Sequence, residues 1–414
     1  MINFKKHTLA NGLKVIVHED RSTPLVAVNI LYNVGARDEQ PDKTGFAHLF
    51  EHLMFGGSKN IPVFDEPLQN AGGENNAFTS NDITNYYETL PSNNVETALW
   101  LESDRMNQLD FDSDALEVQR KVVSEEFKEH YINQPYGDVW HKLRQLAYTK
   151  HPYQWPTIGK ELKHVEDATR QDVEQFFFKY YRPNNAILVL GGNISPEEGF
   201  ALAEKWFGDI PAGPELKKSI PSEPKQTEAR FLEVQADVPV TALYKAYHMP
   251  ARYQDEYFAA DLLSDVLSAG RSSRLYHPLV KEKKLFSEIS AYVTGSLDPG
   301  LLVIEGKLAA GVDIKNAEAE LQVVLDEVMS KKITDDELTK QKNRIESQME
   351  FAETEVLNKA MNLAYAELLG DANIANTEKE QYLAVTPEQI LAQAQSILRP
   401  DNCSTMYYFA KQKN

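Results

Sequence analysis

Residues 46–55 read Phe46-Ala47-His48-Leu49-Phe50-Glu51-His52-Leu53-Met54-Phe55. Two imidazoles four residues apart project from one face of a helix, one turn above the other. Glu51 follows His48 by three residues and reaches the same region. Two histidines and a glutamate can fall together by chance on a solvated helix face, but the surroundings argue otherwise. Leu49, Phe50, Leu53, Met54 and Phe55 make the segment apolar on nearly every side, which predicts a buried helix. Buried ionisable groups without partners are costly, and three of them on one turn call for a metal ion. Neutral imidazole nitrogen is a borderline-soft ligand suited to Zn²⁺. A carboxylate beside zinc-activated water is placed to take that water's proton.

A zinc site needs at least three protein ligands, and this helix supplies two. The next candidate is Ser113-Asp114-Ala115-Leu116-Glu117-Val118-Gln119-Arg120-Lys121-Val122-Val123-Ser124-Glu125-Glu126-Phe127-Lys128-Glu129-His130, with Asp112 or Ser113 as N-cap. At about 100° per residue, Ala115, Leu116, Val122, Val123 and Phe127 form one face. Glu126 is expected in the middle of that face and Glu125 at its solvated edge. Gln119 falls two turns below Glu126 on the same stripe. A carboxylate central to an apolar face needs a partner, which zinc supplies. Glu129 and His130 lie near enough to the stripe that periodicity alone leaves them open as third ligand.

With both helices in view, the chain resembles the pitrilysin family of zinc metallopeptidases. These are the inverzincins, whose H-x-x-E-H inverts the commoner H-E-x-x-H. The family includes insulin-degrading enzyme and the mitochondrial processing peptidase, and the length fits its shorter, two-domain branch, which holds the beta subunit of the latter and bacterial relatives. In that family the third ligand is a Glu some seventy to eighty positions after the second His, and Glu126 falls in that window. The resemblance implies one Zn²⁺ per chain on His48, His52 and Glu126, with Glu51 as catalytic base. A second match is Gly72-Gly73-Glu74-Asn75-Asn76-Ala77-Phe78-Thr79-Ser80-Asn81-Asp82-Ile83-Thr84-Asn85-Tyr86-Tyr87-Glu88. In the family this is a glycine turn leading into an edge strand to which substrate adds, implying a substrate-binding role for Asn76, Ala77 and Phe78. A third is Tyr180-Tyr181-Arg182-Pro183-Asn184-Asn185-Ala186-Ile187-Leu188-Val189-Leu190-Gly191-Gly192-Asn193, a helix end followed by a buried strand. The implied fold is α+β: two structurally similar domains, each a mostly antiparallel sheet packed with helices, facing each other around a chamber.

Two departures from the family pattern matter. Many relatives carry a Glu where this chain has Gln119, which leaves Gln119 an indirect role, supporting the ligands by hydrogen bonding. Relatives also carry an Arg and, seven residues later, a Tyr that grip the substrate. The matching segment, Leu279-Val280-Lys281-Glu282-Lys283-Lys284-Leu285-Phe286-Ser287, has Val280 and Ser287 at those places. One branch of the family splits these duties between two chains, so the resemblance implies a dimer with a related chain that supplies the Arg/Tyr pair.

Organisation along the chain agrees with a duplication. Lys14–His18 and Val26–Tyr32 read as strands joined by a polar turn. Residues 90–210 are mainly helical, with Asn185–Leu190 as a strand. The stretch 210–228 carries Pro211, Pro214, Pro221 and Pro224 and reads as a linker. The pattern then restarts: Phe231–Val234 and Thr241–His248 as strands, Asp255–Leu267 as a helix in the place of the first one but without a His. The expected domains are therefore 1–209, bearing the metal, and 229–414, without it. His7, His18, His141, His151, His164, His248 and His277 lack ligand spacing and read as surface or satisfied core residues.

Composition narrows the class further. A chain of 414 residues exceeds one ordinary core. Hydrophobic content of 42% and charged content of 25% are those of a globular protein. No apolar run is long enough to span a membrane. The net charge of −19 argues against nucleic acid as partner. The lone Cys403 excludes an internal disulfide and fits a reducing compartment. Met1-Ile2-Asn3-Phe4-Lys5-Lys6 has no apolar signal core behind it, so a cytoplasmic protein is expected, or a periplasmic or exported one whose leader has been removed. The readings converge on a zinc-dependent endopeptidase acting on unfolded peptides. The rival is a non-catalytic or scaffold subunit of a heteromeric peptidase. Such subunits usually lose part of the zinc motif, whereas this chain keeps all four residues.

Overall fold

The structure, a computed structural model, describes residues 1–111 and 113–411. Asp112, one of the two expected caps, lies outside the described residues, as does the side chain of Ser113.

The chain forms two compact units. The first contains a six-stranded sheet of β1 (Lys5–Thr8), β2 (Lys14–Glu19), β3 (Leu25–Tyr32), β4 (Glu74–Thr79), β5 (Thr84–Pro91) and β6 (Ala186–Gly192), in the order β1-β2-β6-β3-β5-β4. Only β2 and β6 run parallel; every other pair is antiparallel. The second unit holds β7 (Arg230–Ala236), β8 (Ala242–His248), β9 (Phe286–Val293), β10 (Leu301–Leu308) and β11 (Cys403–Ala410), in the order β7-β11-β8-β10-β9. There β7 and β11 are the parallel pair. Set β1 aside and the two orders are the same: the last strand of each unit inserts between its first two. The architecture is α+β and duplicated, as expected.

That insertion is what a local reading of residues 14–32 misses. β2 and β3 are not neighbours; β6 lies between them and pairs with both. β6 is buried along its whole length, which explains its uninterrupted apolar run Ala186-Ile187-Leu188-Val189-Leu190. β1 is absent from the sequence reading because Lys5, Lys6, His7 and Thr8 are all exposed on an edge strand, where apolar alternation has no function.

The units are not two continuous segments. The first comprises Met1–His130, Trp155–Pro221 and Glu350–Thr377; the second Tyr131–Gln154, Ser222–Met349 and Glu378–Asn414. The crossing at 221/222 falls inside the expected linker, but two other segments change sides relative to the expected 1–209 and 229–414. Packing explains both. The helix Val356–Leu369 buries Ala360, Leu363 and Ala364 against Ile16, Ala27, Leu31 and Val189 of the first sheet. The helix Val139–Ala147 buries Val139, Leu143 and Ala147 against Ala242, Tyr244, Ala246 and Val303 of the second. Each sheet face needs an apolar cover, and the cover comes from a remote stretch of chain.

One charged group sits in the middle of the first unit. Arg105, on the helix Val95–Asn107, is fully buried. Its Nε donates to Glu102 at 2.9 Å and its Nη2 lies 3.4 Å from Glu88 of β5. The guanidinium packs over the rings of Phe64 (4.2 Å to the centroid), Tyr86 (4.5 Å) and Phe55 (5.3 Å). Burial and the nearby Glu102 push the Glu88 carboxyl well above its ordinary pKa. Arg105 thereby joins three elements: its own helix, β5 and the C-terminal end of the helix Phe46–Phe55. Arg105→Leu leaves two buried carboxyl groups without their cation and is expected to destabilise the first unit by about 3–5 kcal/mol. Urea unfolding followed by tryptophan fluorescence checks this, and an unchanged midpoint would refute it.

Candidate metal centre

The helix Phe46–Phe55 has no local side-chain cap. Its N-cap is Gly45, in the left-handed region with φ +86°. Glu39 supplies the cap instead: its Oε2 accepts from Gly45 N at 3.0 Å and its Oε1 from Ala47 N at 2.8 Å. The indole Nε1 of Trp155 donates to the same carboxylate at 3.1 Å. So held, the helix buries Phe46, Ala47, Leu49, Phe50, Leu53 and Met54. Phe50 stacks on Phe176 and Tyr181, with centroids 4.9 and 5.2 Å apart. His48, Glu51 and His52 are left on the half-buried face.

The helix Ser113–Phe127 packs beside it and brings in Glu126. Its face is rotated from the one expected. Leu116, Val123 and Phe127 are buried, but Val118 and Val122 are 54% and 45% exposed. The buried stripe runs through Leu116, Val123 and Phe127, so Glu126 sits on its shoulder, not in its middle. Glu125 points to solvent and pairs with Lys128 at 2.8 Å. Glu129 and His130 are exposed and stand outside the cluster.

His48, His52 and Glu126 come together. One ligand atom from each lies within 4.8 Å of the others, and this is the one such group of three among the described residues. His48 Nε2 is 3.8 Å from Glu126 Oε1, and His52 Nε2 is 3.5 Å from Glu126 Oε2. Ligands about 2.0–2.1 Å from a tetrahedral zinc lie roughly 3.3–3.4 Å from one another, so small side-chain adjustments suffice. The donor set, two imidazole nitrogens and a carboxylate, is that of an open zinc site. Burial holds His48 neutral by lowering its pKa to about 4, and a neutral ring is what a metal requires. His48 Nδ1 is buried without a hydrogen-bond partner among the described residues. Glu126 is shifted down, chiefly by its hydrogen bond with His52.

Glu51 differs. Burial raises its pKa, against the pull of a hydrogen bond from Thr79 and the charge of His52. The Thr79 hydroxyl donates to Glu51 Oε2 at 2.6 Å. Thr79 ends β4, the edge strand that carries Asn76, Ala77 and Phe78, and the sequence reading passed over it. Strand alternation was the available signal: Asn75, Ala77 and Thr79 are half-buried on one face, while Glu74, Asn76 and Phe78 are exposed on the other. Asn76 turns its Oδ1 back onto Ala77 N at 2.8 Å. Tyr86 points into the core and Tyr87 stays half-exposed, as neighbours on a strand must. Gln119 places its amide nitrogen near Gly56 and makes no hydrogen bond to the cluster among the described residues. Two of the isolated histidines have contacts away from the cluster: His18 Nδ1 contacts Asn3 O at 2.7 Å and His164 Nδ1 contacts the Thr44 hydroxyl at 2.8 Å.

Known proteins resemble this chain over most of its length. The family model described as "Insulinase (Peptidase family M16)" matches residues 14–161, and "Peptidase M16 inactive domain" matches residues 167–345. "Zinc protease PqqE" of Helicobacter pylori is 33% identical over 343 residues, covering 81% of this chain and 77% of that protein. The chain belongs to peptidase family M16, the pitrilysin family. A solved Helicobacter pylori protease is similar over 99% of this chain and 100% of its own, with a TM-score of 0.92 and 28% identity. The probable mitochondrial-processing peptidase subunit beta of Schizosaccharomyces pombe is 28% identical over 310 residues, covering 71% of this chain and 67% of that protein.

Within this M16 chain the second unit repeats the fold without the cluster. Its counterpart helix, Glu256–Ser268, has no His. Val280 packs against the second core, and Ser287 on β9 donates to Lys307 O at 3.1 Å. The three-residue cluster yields a direct prediction. Purified protein should hold one zinc per chain by mass spectrometry, and Glu126→Gln should weaken its retention at least about tenfold against a competing chelator. Unchanged retention would move the third ligand elsewhere.

Proposed function

We propose that the chain is a zinc-dependent endopeptidase that hydrolyses unfolded peptides. One observation carries the reading. His48, His52 and Glu126 converge on a common point, and Glu51 stands between that cluster and the edge strand β4, hydrogen-bonded to its last residue. A zinc ion held by the three ligands would acidify a water molecule and polarise a peptide carbonyl. The protein's own groups do the rest. Glu51, half-buried and shifted upward, takes the proton of the attacking water on its carboxylate and returns it to the leaving amine. The strand β4 is last in the sheet order, so an extended peptide can add beside it through Asn76, Ala77 and Phe78. Main-chain pairing of that kind reads backbone more than side chains, so broad sequence tolerance follows. Relatives named zinc proteases support this class of activity.

Glu51→Gln removes the base and no ligand. Zinc content should stay at wild type while cleavage of a quenched peptide falls by about 10²–10⁴. Near-normal turnover would show that Glu51 is not the base.

Substrate holding is the second element of the proposal. Val280 and Ser287 offer neither a guanidinium nor a phenol to peptide carbonyls. We therefore propose that a related chain carrying the Arg/Tyr pair completes the substrate grip in a dimer. The isolated chain should turn over peptide slowly, and such a partner should raise the rate. The measurement pairs solution mass with turnover before and after adding the partner. Equal activity alone and in the mixture would sink the two-chain idea and leave a homodimer or monomer that holds substrate by β4.

A further inference from the structure

We infer that Thr79 positions Glu51, so that the strand offered to the substrate also sets the orientation of the base; the inference rests on the peptidase reading above. The link is a short hydrogen bond, 2.6 Å from Thr79 Oγ1 to Glu51 Oε2. A carboxylate held by one oxygen presents the other in a fixed direction. Without the link, a glutamate side chain samples several rotamers, few of which aim at one point beside His48 and His52. Threonine suits the task because its branched Cβ restricts the first side-chain torsion.

What makes Thr79 a positioning residue is how firmly its own backbone is held. It pairs with Thr84 at the end of the β4–β5 ladder. The turn that follows is closed by Ser80 N to Ile83 O at 2.8 Å, and by Ser80 Oγ accepting from Asp82 N and Ile83 N at 3.1 and 3.0 Å. That turn is fastened to the segment leading into the metal-binding helix. Ala36 N donates to Ser80 O at 3.2 Å and Arg37 N to Asn81 O at 2.8 Å, while Arg37 Nε lies 3.3 Å from Asp82 Oδ1. At Gly35 a Cβ would come within 2.5 Å of Asp82 N, so the two segments touch with no room for a side chain. The same segment ends at Glu39, which caps the helix that carries Glu51. Cap, segment, turn, Thr79 and Glu51 thus form a closed circuit. Gln119 places its amide nitrogen near Gly56 and makes no hydrogen bond to Glu51 among the described residues.

The test compares wild type, Thr79→Val and Thr79→Ser, each assayed for zinc content and for turnover of a quenched peptide. Valine keeps the shape and removes the donor; serine keeps the donor. Thr79→Val should lower kcat about tenfold to a hundredfold, the size expected for a misplaced catalytic group. KM should change by less than about twofold and zinc should be retained. Thr79→Ser should recover most of the rate. In the Glu51→Gln background Thr79→Val should cost nothing further, because the residue acts only through Glu51. The inference is overturned if Thr79→Val leaves kcat unchanged, if only KM rises, if zinc is lost, or if serine fails to rescue. A wild-type chain that binds zinc but cleaves no peptide, alone or with a partner chain, would overturn the peptidase reading itself and this inference with it.

Discussion

The carboxylate of Glu39 is the constraint on which the site depends. The helix that carries both histidines starts at Gly45, a residue with no side chain to cap it. Its first amides would be buried without acceptors had Glu39 not folded back from seven residues upstream of the helix's first residue to take them. Burial pushes that carboxyl up to about 8, while the N–H groups of Ala47, Gly45 and Trp155 pull the other way. The arrangement costs desolvation and gains a fixed entry angle. Everything downstream inherits that angle: the rotation that buries Leu49, Phe50 and Leu53, and hence the direction in which His48, Glu51 and His52 face.

The duplication shows what separates the candidate metal cluster from an ordinary helix in the same fold. The second unit has the same strand order and a helix at the same place in it. That helix also carries two ionisable residues four apart, Asp261 and Asp265. Each has a protein partner: the Tyr382 hydroxyl donates to Asp261 at 2.6 Å, and Arg344 donates to Asp265 at 2.5 Å. Their charges are answered inside the unit. Among the described residues His48 and His52 have no such donor; they face each other and Glu126, with Glu51 near His52. The spacing is shared, and the partner chemistry differs.

Much of this was legible in residues 46–55 because helical spacing is a local property. Four residues put His48 and His52 on one face whatever the rest of the chain does, and the apolar remainder of the segment specified burial. Periodicity put Glu126 on the stripe but left Glu129 and His130 open beside it, and the family resemblance singled it out; the buried stripe itself lies away from Val122. A helix wheel locates a face from the apolar residues present, and Val118 and Val122 are apolar without being buried. Neither the insertion of β6 between β2 and β3 nor the exchange of Tyr131–Gln154 and Glu350–Thr377 leaves a local trace. Both are set by which remote surface offers an apolar face, and that is decided in three dimensions. Thr79 stands between these cases. Its face on β4 follows from alternation, but its contact with Glu51 depends on how the hairpin meets the helix.

The two carboxylates of the site are pulled in opposite directions by their surroundings. Glu126 accepts from His52 and lies between two imidazoles, which favours the anion and lowers its pKa. Glu51, one helix position before His52, is half-buried beside β4, where loss of water favours the neutral acid and raises its pKa. Pairs of acids separated in this way take different roles: one stays charged and the other takes up a proton more readily. That division suits the proposed assignment, in which Glu126 is a ligand and Glu51 the base. It also explains why exchanging their positions would not work. A ligand on the strand side would lose the imidazoles that keep it ionised, and a base on the shoulder of the second helix would lose the burial that lifts its affinity for a proton.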